Sequence, residues 1–539
     1  MNDHIKGIGW TWARRHLVAS AAVLVALAGA GPALAGPIQS EATRFLEQAS
    51  FGPTPAEVAR VQGIGFEAWI NDQFNKPIPA YPDLPAWPSN PPDSCDDTCR
   101  RDNYSMYPLQ VRFFTNALTG QDQLRQRVVL ALNQIFVVSA LDPDIVQPSA
   151  MLSYLKVLDK NAFGNFRQLM TDVTLNGAMG KYLDMAGNRA SAPNENFGRE
   201  LLQLFTIGPD ILNPDGTVKR DSAGRAIPSY DQPIITAFAR VFTGWVLAPR
   251  FADDTPNLID PMVPGSENAH DTKAKTLLNN ATLPAGQNAV DDLHDALDNI
   301  FAHPNLAPFI SERLIQHLVT SNPSPAYVGR VAKVFKKTKG DMKSVIKAIL
   351  LDWEARFFGP YNKPVYGHLK EPVLWLTGVL RAFNTTSATT DFVIGESFLP
   401  SDVRMSQDLF RAPSVFNFFP PDYVAVGNHT LGPEFKIYST TTALARTNLA
   451  YEVVWKKMPT NTNRPLGTWI DLTPLQGQAG NPGGLVDGLN ARLLHGTMPS
   501  AMKNVIVQAV SAVSASDALE RVRTAVYLVV TSPYYLVGR

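Results

Sequence analysis

Apolar residues in this chain recur at three- and four-residue intervals between glycine and proline breakers, a spacing that favours helices and leaves little room for strands. Segments 41–49, 54–61 and 66–74 read as short helices on this basis. Ser324-Pro325 supplies an N-cap followed by proline at the first helical position, and Val328, Val331, Ala332 and Phe335 follow at helical spacing. Asp341 is placed to cap the next helix, with Val345, Ile346, Ile349 and Trp353 expected on one face. A C-terminal helix starts near Ser516, carries Leu519, Val522 and Val526, and stops before Pro533. The expected fold is mainly α: a single large multi-helix domain with a small β-hairpin insert and long surface loops.

Three segments break the helical pattern. Residues 77–99 form a proline-rich loop that runs into Cys95 and Cys99. A small-loop disulfide is the expected state of these cysteines in an oxidising compartment; a C-x-x-x-C metal or redox site has no neighbouring His or Cys to complete it. Residues 212–230 contain Asp215-Gly216 and Ala223-Gly224, which read as a hairpin insert. Residues 458–484, rich in Pro, Gly, Asn and Thr, read as a long loop.

The first 35 residues have the pattern of a signal peptide. Lys6, Arg14 and Arg15 precede an apolar run over 17–28, and Ala33-Leu34-Ala35 offers a cleavage site before Gly36. Residues 36–539 are then the single helical domain, without a membrane span, and the expected location is periplasmic or secreted. That mature part holds 45 basic and 47 acidic side chains, a balance with no electrostatic reason to seek nucleic acid. An apolar fraction of 45% with 18% charged residues describes a packed globular chain.

Candidate chemistry concentrates in Asn194-Glu195-Asn196-Phe197-Gly198-Arg199-Glu200-Leu201-Leu202-Gln203. At about 100° per residue, Glu195, Asn196, Arg199, Glu200 and Gln203 share one sector of a helix. That sector is a solvated face with an ordinary ion pair, a buried polar network, or a pocket wall in which Glu195 or Glu200 acts as acid or base and Arg199 orients it. His270-Asp271-Thr272-Lys273 is a second cluster, either a loop histidine bonded to backbone or part of a site. Trp245 follows the helix-ending Gly244 and either stacks on a sugar ring or fills the core. H-E-x-x-H, G-x-S-x-G, Walker and dinucleotide motifs are absent, and neither a metal set nor a cofactor is expected.

The segments ATRFLEQASFGPT, NENFGRELLQLFTIG, FARVFTGW, HDTKAKTLL, HPNLAPFISERLIQHLV, KEPVLWLTGVLRAF and APSVFNFFPPDY, in this order, resemble the large bacterial family catalogued as domain of unknown function 1800. The resemblance implies a secreted or periplasmic, mainly helical protein. It also implies an exported phosphatase- or sulfatase-like protein as a partner, since genes for the two are often neighbours. Its most recognisable blocks fall on Asn194, Glu195, Asn196, Arg199, Glu200 and Phe205, and on His270, Asp271 and Lys273. Where many members carry glycine, this chain has Thr272.

These features lead to an expected hydrolase acting on an envelope or extracellular polymer, with a polysaccharide favoured. Glu195 would be the acid/base and Asp271 or Glu200 the second carboxylate. Asn194, Asn196, Arg199, Gln203, His270, Lys273 and Trp245 would bind substrate. The rival expectation is a non-catalytic binding or assembly partner. A third is a metal-assisted hydrolase built on Asp271, His270 and Glu195.

Overall fold

The computed structural model describes residues 36–538 except 80, 88–89, 146, 359–365, 388–391, 393, 395–398, 400, 428, 457 and 459–466. The segment read as a signal peptide lies outside these residues, as does part of 458–484. Helices dominate, and the strands described are two-residue antiparallel pairs. Among the described residues no helix is long and apolar enough to cross a membrane.

Two helices occupy the centre. Gln123–Ile135 is buried along its length except at Asn133, and Pro372–Ala382 is buried throughout. Helices apolar on one stripe then close around them: Gln39–Ala49 and Phe66–Gln73 from the N-terminal part, Pro148–Asn161 and Leu306–Leu318 from the middle. Toward the C-terminus, Thr440–Trp455, Pro482–Leu493, Ser500–Ala512 and Ala518–Val530 pack against one another. Buried side chains from Ala42 to Leu536 belong to one continuous cluster.

Local chemistry explains the helix ends. Thr54, Ser324, Asp341 and Asp517 each accept a hydrogen bond from a first-turn backbone N–H. Trp353, expected on the core face after Ile349, instead lies outside. The helix ends at Leu351, and Trp353 is 43% exposed with the Arg330 guanidinium 4.8 Å above its ring. Residues 212–230 form two successive tight turns, with bridges Leu212↔Val218 and Arg220↔Ala226. The stretch read as a long loop over 458–484 is partly regular: Trp469–Ile470 is a strand, Thr473–Gln478 a 3-10 turn, and a helix starts at Pro482 under the Asn481 cap.

The proline-rich segment is tied down at defined points. Cys95 and Cys99 are disulfide-bonded. Gln147 donates to the Trp87 carbonyl, and the Tyr81 hydroxyl donates to Asp159 Oδ2. Asp159 is almost wholly buried and also accepts from Gln126 at 3.0 Å, while Gln126 reaches Asp122 at 3.0 Å. Burial, reinforced by Asp122, pushes the Asp159 carboxyl from 3.8 up to about 6. A raised folded-state value means this carboxyl favours folding below pH 4 and loses that contribution as pH rises to about 6. The ceiling of the loss is about 3 kcal/mol. Asp159→Asn should therefore flatten the fall in melting temperature between pH 4 and 6 and leave the variant at least as stable as wild type at pH 8, as followed by circular dichroism melts.

Candidate functional site

The Glu195 segment begins as an α-helix over Asn196–Glu200 and continues as a π-helix over Leu201–Thr206. The Ile207 N–H reaches back five residues to the Leu202 carbonyl at 3.1 Å. The wider turn breaks the α-helical register, so Gln203 leaves the sector of Glu195 and Arg199. It lines a cleft instead, together with Leu204. Gly208 ends the π-turn at φ +73, and a Cβ there would lie 2.8 Å from the Phe309 ring, so glycine is required on both counts.

Glu195 itself sits at the surface. Its carboxylate accepts from Arg199 Nη2 at 2.7 Å, from Gln232 Nε2 at 2.8 and 2.9 Å, and from Thr236 Oγ1 at 2.8 Å. Gln232 and Thr236, with Arg199 adding to them, hold its pKa below the usual carboxylate range. Asn194 and Asn196 serve the backbone turn: Asn194 Oδ1 accepts from the Asn196 N–H, and Asn196 Nδ2 donates to Asp184. Burial raises the Glu200 pKa against the opposing charge of Arg199, and its Oε2 has no hydrogen-bond partner. Burial, with the charges of Asp142 and Glu200 adding to it at Tyr182 and of Glu200 at Tyr230, pushes both tyrosines up to about 12.

The second sequence cluster is a closed ionic chain. Arg240 forks onto Asp271 at 2.9 and 3.0 Å, and the Lys273 N–H donates to Asp271 at 2.9 Å. Arg240, followed by the backbone bond, holds the Asp271 carboxyl down at about 2 despite partial burial. His270 Nε2 lies 3.0 Å from Asp292 Oδ2, and His270 Nδ1 lies 2.9 Å from the Thr243 carbonyl. The buried Lys275 ammonium sits 2.6 Å from Asp292 Oδ2 and 4.0 Å from Asp271 Oδ1. Lys275 thus supplies the positive charge between the two carboxylates, and the Asp271 oxygens are taken up by Arg240 and the Lys273 N–H. Lys273 is exposed, and Trp245 is a core side chain 3% exposed. A Cβ on Gly244, at φ +86, would lie 2.8 Å from His270 Cβ. Thr272 is not among the residues with positive φ, so threonine is tolerated there.

The two clusters are linked by one strut. Gln232, Thr236 and Arg240 lie at four-residue spacing on the helix Gln232–Val241; the first two hold Glu195 and the third holds Asp271. This stripe connects the His270 segment, through Arg240 and Asp271, with the Glu195 helix. Glu195 is held at the Gln232–Thr236 end of this stripe and Asp271 one turn further on, at Arg240, so each of the two carboxylates expected as a catalytic pair has its own set of partners.

The cleft that takes Gln203 is the better site. It encloses about 870 Å³ including its mouth. Gln134 lies at the end of the central helix Gln123–Ile135; Phe309, Arg313, Gln316 and His317 come from Leu306–Leu318; Phe416, Asn417, Phe419 and Asp422 come from the loop 414–423, and Glu434 from the turn Pro433–Ile437. Segments that carry the family resemblance supply most of this lining, which sequence spacing could not assemble. The available signal was polar Arg313, Gln316 and His317 at helical spacing in the helix LAPFISERLIQHL.

Three nearly buried lining side chains keep unused hydrogen-bonding atoms: Gln134 Oε1, Asn417 Nδ2 and Glu434 Oε2. Glu434 Oε1 is 3.4 Å from His368 Nδ1. Beneath the floor, the wholly buried Arg127 donates to the His317 carbonyl and faces the carboxylates of Glu371 and Glu434. Burial, with Arg127, Arg313 and His368 nearby, pushes the His317 imidazole down to about 3. It is a neutral hydrogen-bonding group at ordinary pH.

These assignments separate by stability. Lys275→Met removes the cation from a buried cluster and should cost about 3–5 kcal/mol. Glu195→Gln alters a half-exposed, solvent-screened pair and should cost less than about 1 kcal/mol. Urea unfolding of both variants at pH 7 measures the contrast, and equal losses would contradict it.

Residues 44–537 match the family described as a protein of unknown function, DUF1800. No curated protein and no solved structure matches the chain. With the match extending over nearly all of the described chain, the protein belongs to the DUF1800 family.

Proposed function

We propose that this chain is an exported hydrolase that acts on an envelope or extracellular polymer, with a glycan as favoured substrate, and that the reaction takes place in the Gln203–Glu434 cleft. The observation that supports it is that three nearly buried side chains of the cleft lining, Gln134, Asn417 and Glu434, each keep a buried polar atom without a hydrogen-bond partner: Oε1, Nδ2 and Oε2. Buried polar groups are rarely left unpaired in folded proteins, so such atoms in a cleft favour a ligand rich in hydroxyl or amide groups. Phe309, Phe416 and Phe419 offer apolar faces to the C–H side of a sugar ring.

Two carboxylates line the cleft, Glu434 near the floor and Asp422 toward solvent. Glycosidic cleavage needs two. One protonates the departing glycosidic oxygen as the C–O bond breaks; the other takes a proton from the water that attacks the anomeric carbon, or attacks that carbon itself. Arg313, steadied by Gln316 Oε1 at 2.8 Å and lying over the Phe309 ring, holds one wall in place.

A second reading, a non-catalytic partner for an exported phosphatase- or sulfatase-like protein, draws on the apolar residues of the loop beside the cleft. Val426 is 91% exposed, and Val424 and Phe435 are exposed with it. Purified protein incubated with envelope and extracellular polysaccharides should release reducing ends. Glu434→Gln and Asp422→Asn should each lower that rate at least about a hundredfold, and Glu195→Gln should leave it within about threefold. No release from any polymer, with stoichiometric capture of the partner lost on Val426→Asp, would replace the first reading by the second.

A further inference from the structure

We infer that the sugar unit held in the cleft bears nitrogen on its ring, as an amine or an acetamide, and that Glu434 and Gln134 are the side chains that select it. This rests on the reading of the cleft as a glycan site and adds which class of glycan it takes.

The lining is asymmetric in what it can offer. Its unpaired, nearly buried oxygens, Glu434 Oε2 and Gln134 Oε1, are acceptors and call for N–H or O–H donors from the ligand. Gln134 is fixed in that sense because its Nε2 already donates to Glu371 Oε2 at 2.5 Å. Its amide oxygen is thereby left to face a donor. Asn417 Nδ2, the one unpaired donor of the three, matches a single carbonyl or hydroxyl oxygen.

Charge points the same way. The carboxylates of Asp422 and Glu434 both line the cleft, and the neutral His317 adds no cation. Arg313 is flanked by Glu312 and Asp422, and Arg127 lies below the floor against Glu371 and Glu434. A uronic acid or phosphorylated sugar would bring its anion toward two lining carboxylates against the single lining guanidinium of Arg313. An ammonium would gain from the same carboxylates and from the face of Phe416, which is 40% exposed. An acetamide would gain the N–H donor and the carbonyl acceptor together, and its methyl would meet the phenyl rings. An unsubstituted hexose supplies hydroxyl donors but neither the charge nor the paired amide.

Isothermal titration of the full-length mature protein with β-linked tetrasaccharides of glucosamine, N-acetylglucosamine, glucose and glucuronate tests this. At least one nitrogen-bearing ligand should bind at least about tenfold more tightly than glucose or glucuronate. A preference for glucosamine that falls with added salt identifies the amine, and a salt-independent preference for N-acetylglucosamine identifies the acetamide. Glu434→Gln should erase a preference for the amine. Phe416→Ala, at an exposed position where folding is not at risk, should weaken every bound sugar and so report that binding is in the cleft. Glucose or glucuronate bound as tightly as the nitrogen sugars, with Phe416→Ala still weakening them, overturns the inference and leaves the glycan reading standing. No binding of any of the four, in wild type whose melting curve shows a folded chain, overturns both.

Discussion

Lys370 and Glu371 are adjacent, both nearly buried, and opposite in what they hold; the rest of the fold is arranged to make that tolerable. A buried charge is stable only with partners at hand. Lys370 reaches Glu47 at 2.9 Å, and His495 reaches the other oxygen of Glu47 at 2.9 Å. Burial would raise the Glu47 carboxyl, yet His495 and Lys370 hold it at about 2. Glu371 turns the other way and accepts from Gln134 and Gln407 at 2.5 Å each, within the field of Arg127. One dipeptide at the head of the buried helix Pro372–Ala382 thus joins the first helix, the C-terminal helices and the cleft floor.

The helical fold was legible because it depends on local spacing: caps at Ser324 and Asp341 and the stripe Val345, Ile346 and Ile349 turned out as the pattern requires. Trp353 was not, since its position is set by the end of a helix two residues earlier and by Arg330 from a neighbouring one. Gln203 was misplaced for a comparable reason. A π-turn has no signature in apolar periodicity, and a single widened turn moves a side chain from one face to another. The cleft was invisible at the level of spacing because Gln134, Gln203, Phe309 and Glu434 meet only through tertiary packing. The NEN and HD blocks drew notice because they are polar, and polarity alone does not distinguish a joint from a site.

The helix Gln232–Val241 shows how such joints work. Its inner face carries Phe238 and Val241 into the core, while Gln232, Thr236 and Arg240 hold two polar segments that would otherwise be loose loop ends. Each contact is modest, but together they set the angle at which the Glu195 segment enters the molecule. The π-turn that follows starts from that angle and delivers Gln203 and Leu204 to the cleft wall.

The strand Val537–Gly538 pairs with His368–Leu369, immediately before Lys370-Glu371. This pairing spans a long stretch of chain, so its closure entropy is met late, after the intervening helices have packed. A polypeptide that emerges N-terminus first cannot close this clasp until residue 538 is free. Until then the segment bearing Glu371 lacks one of its ties, and the cleft floor beneath Gln134 is incomplete. Such a clasp makes the support of Glu371, and through Gln134 that of the cleft floor, depend on a strand far along the chain from the helix it steadies.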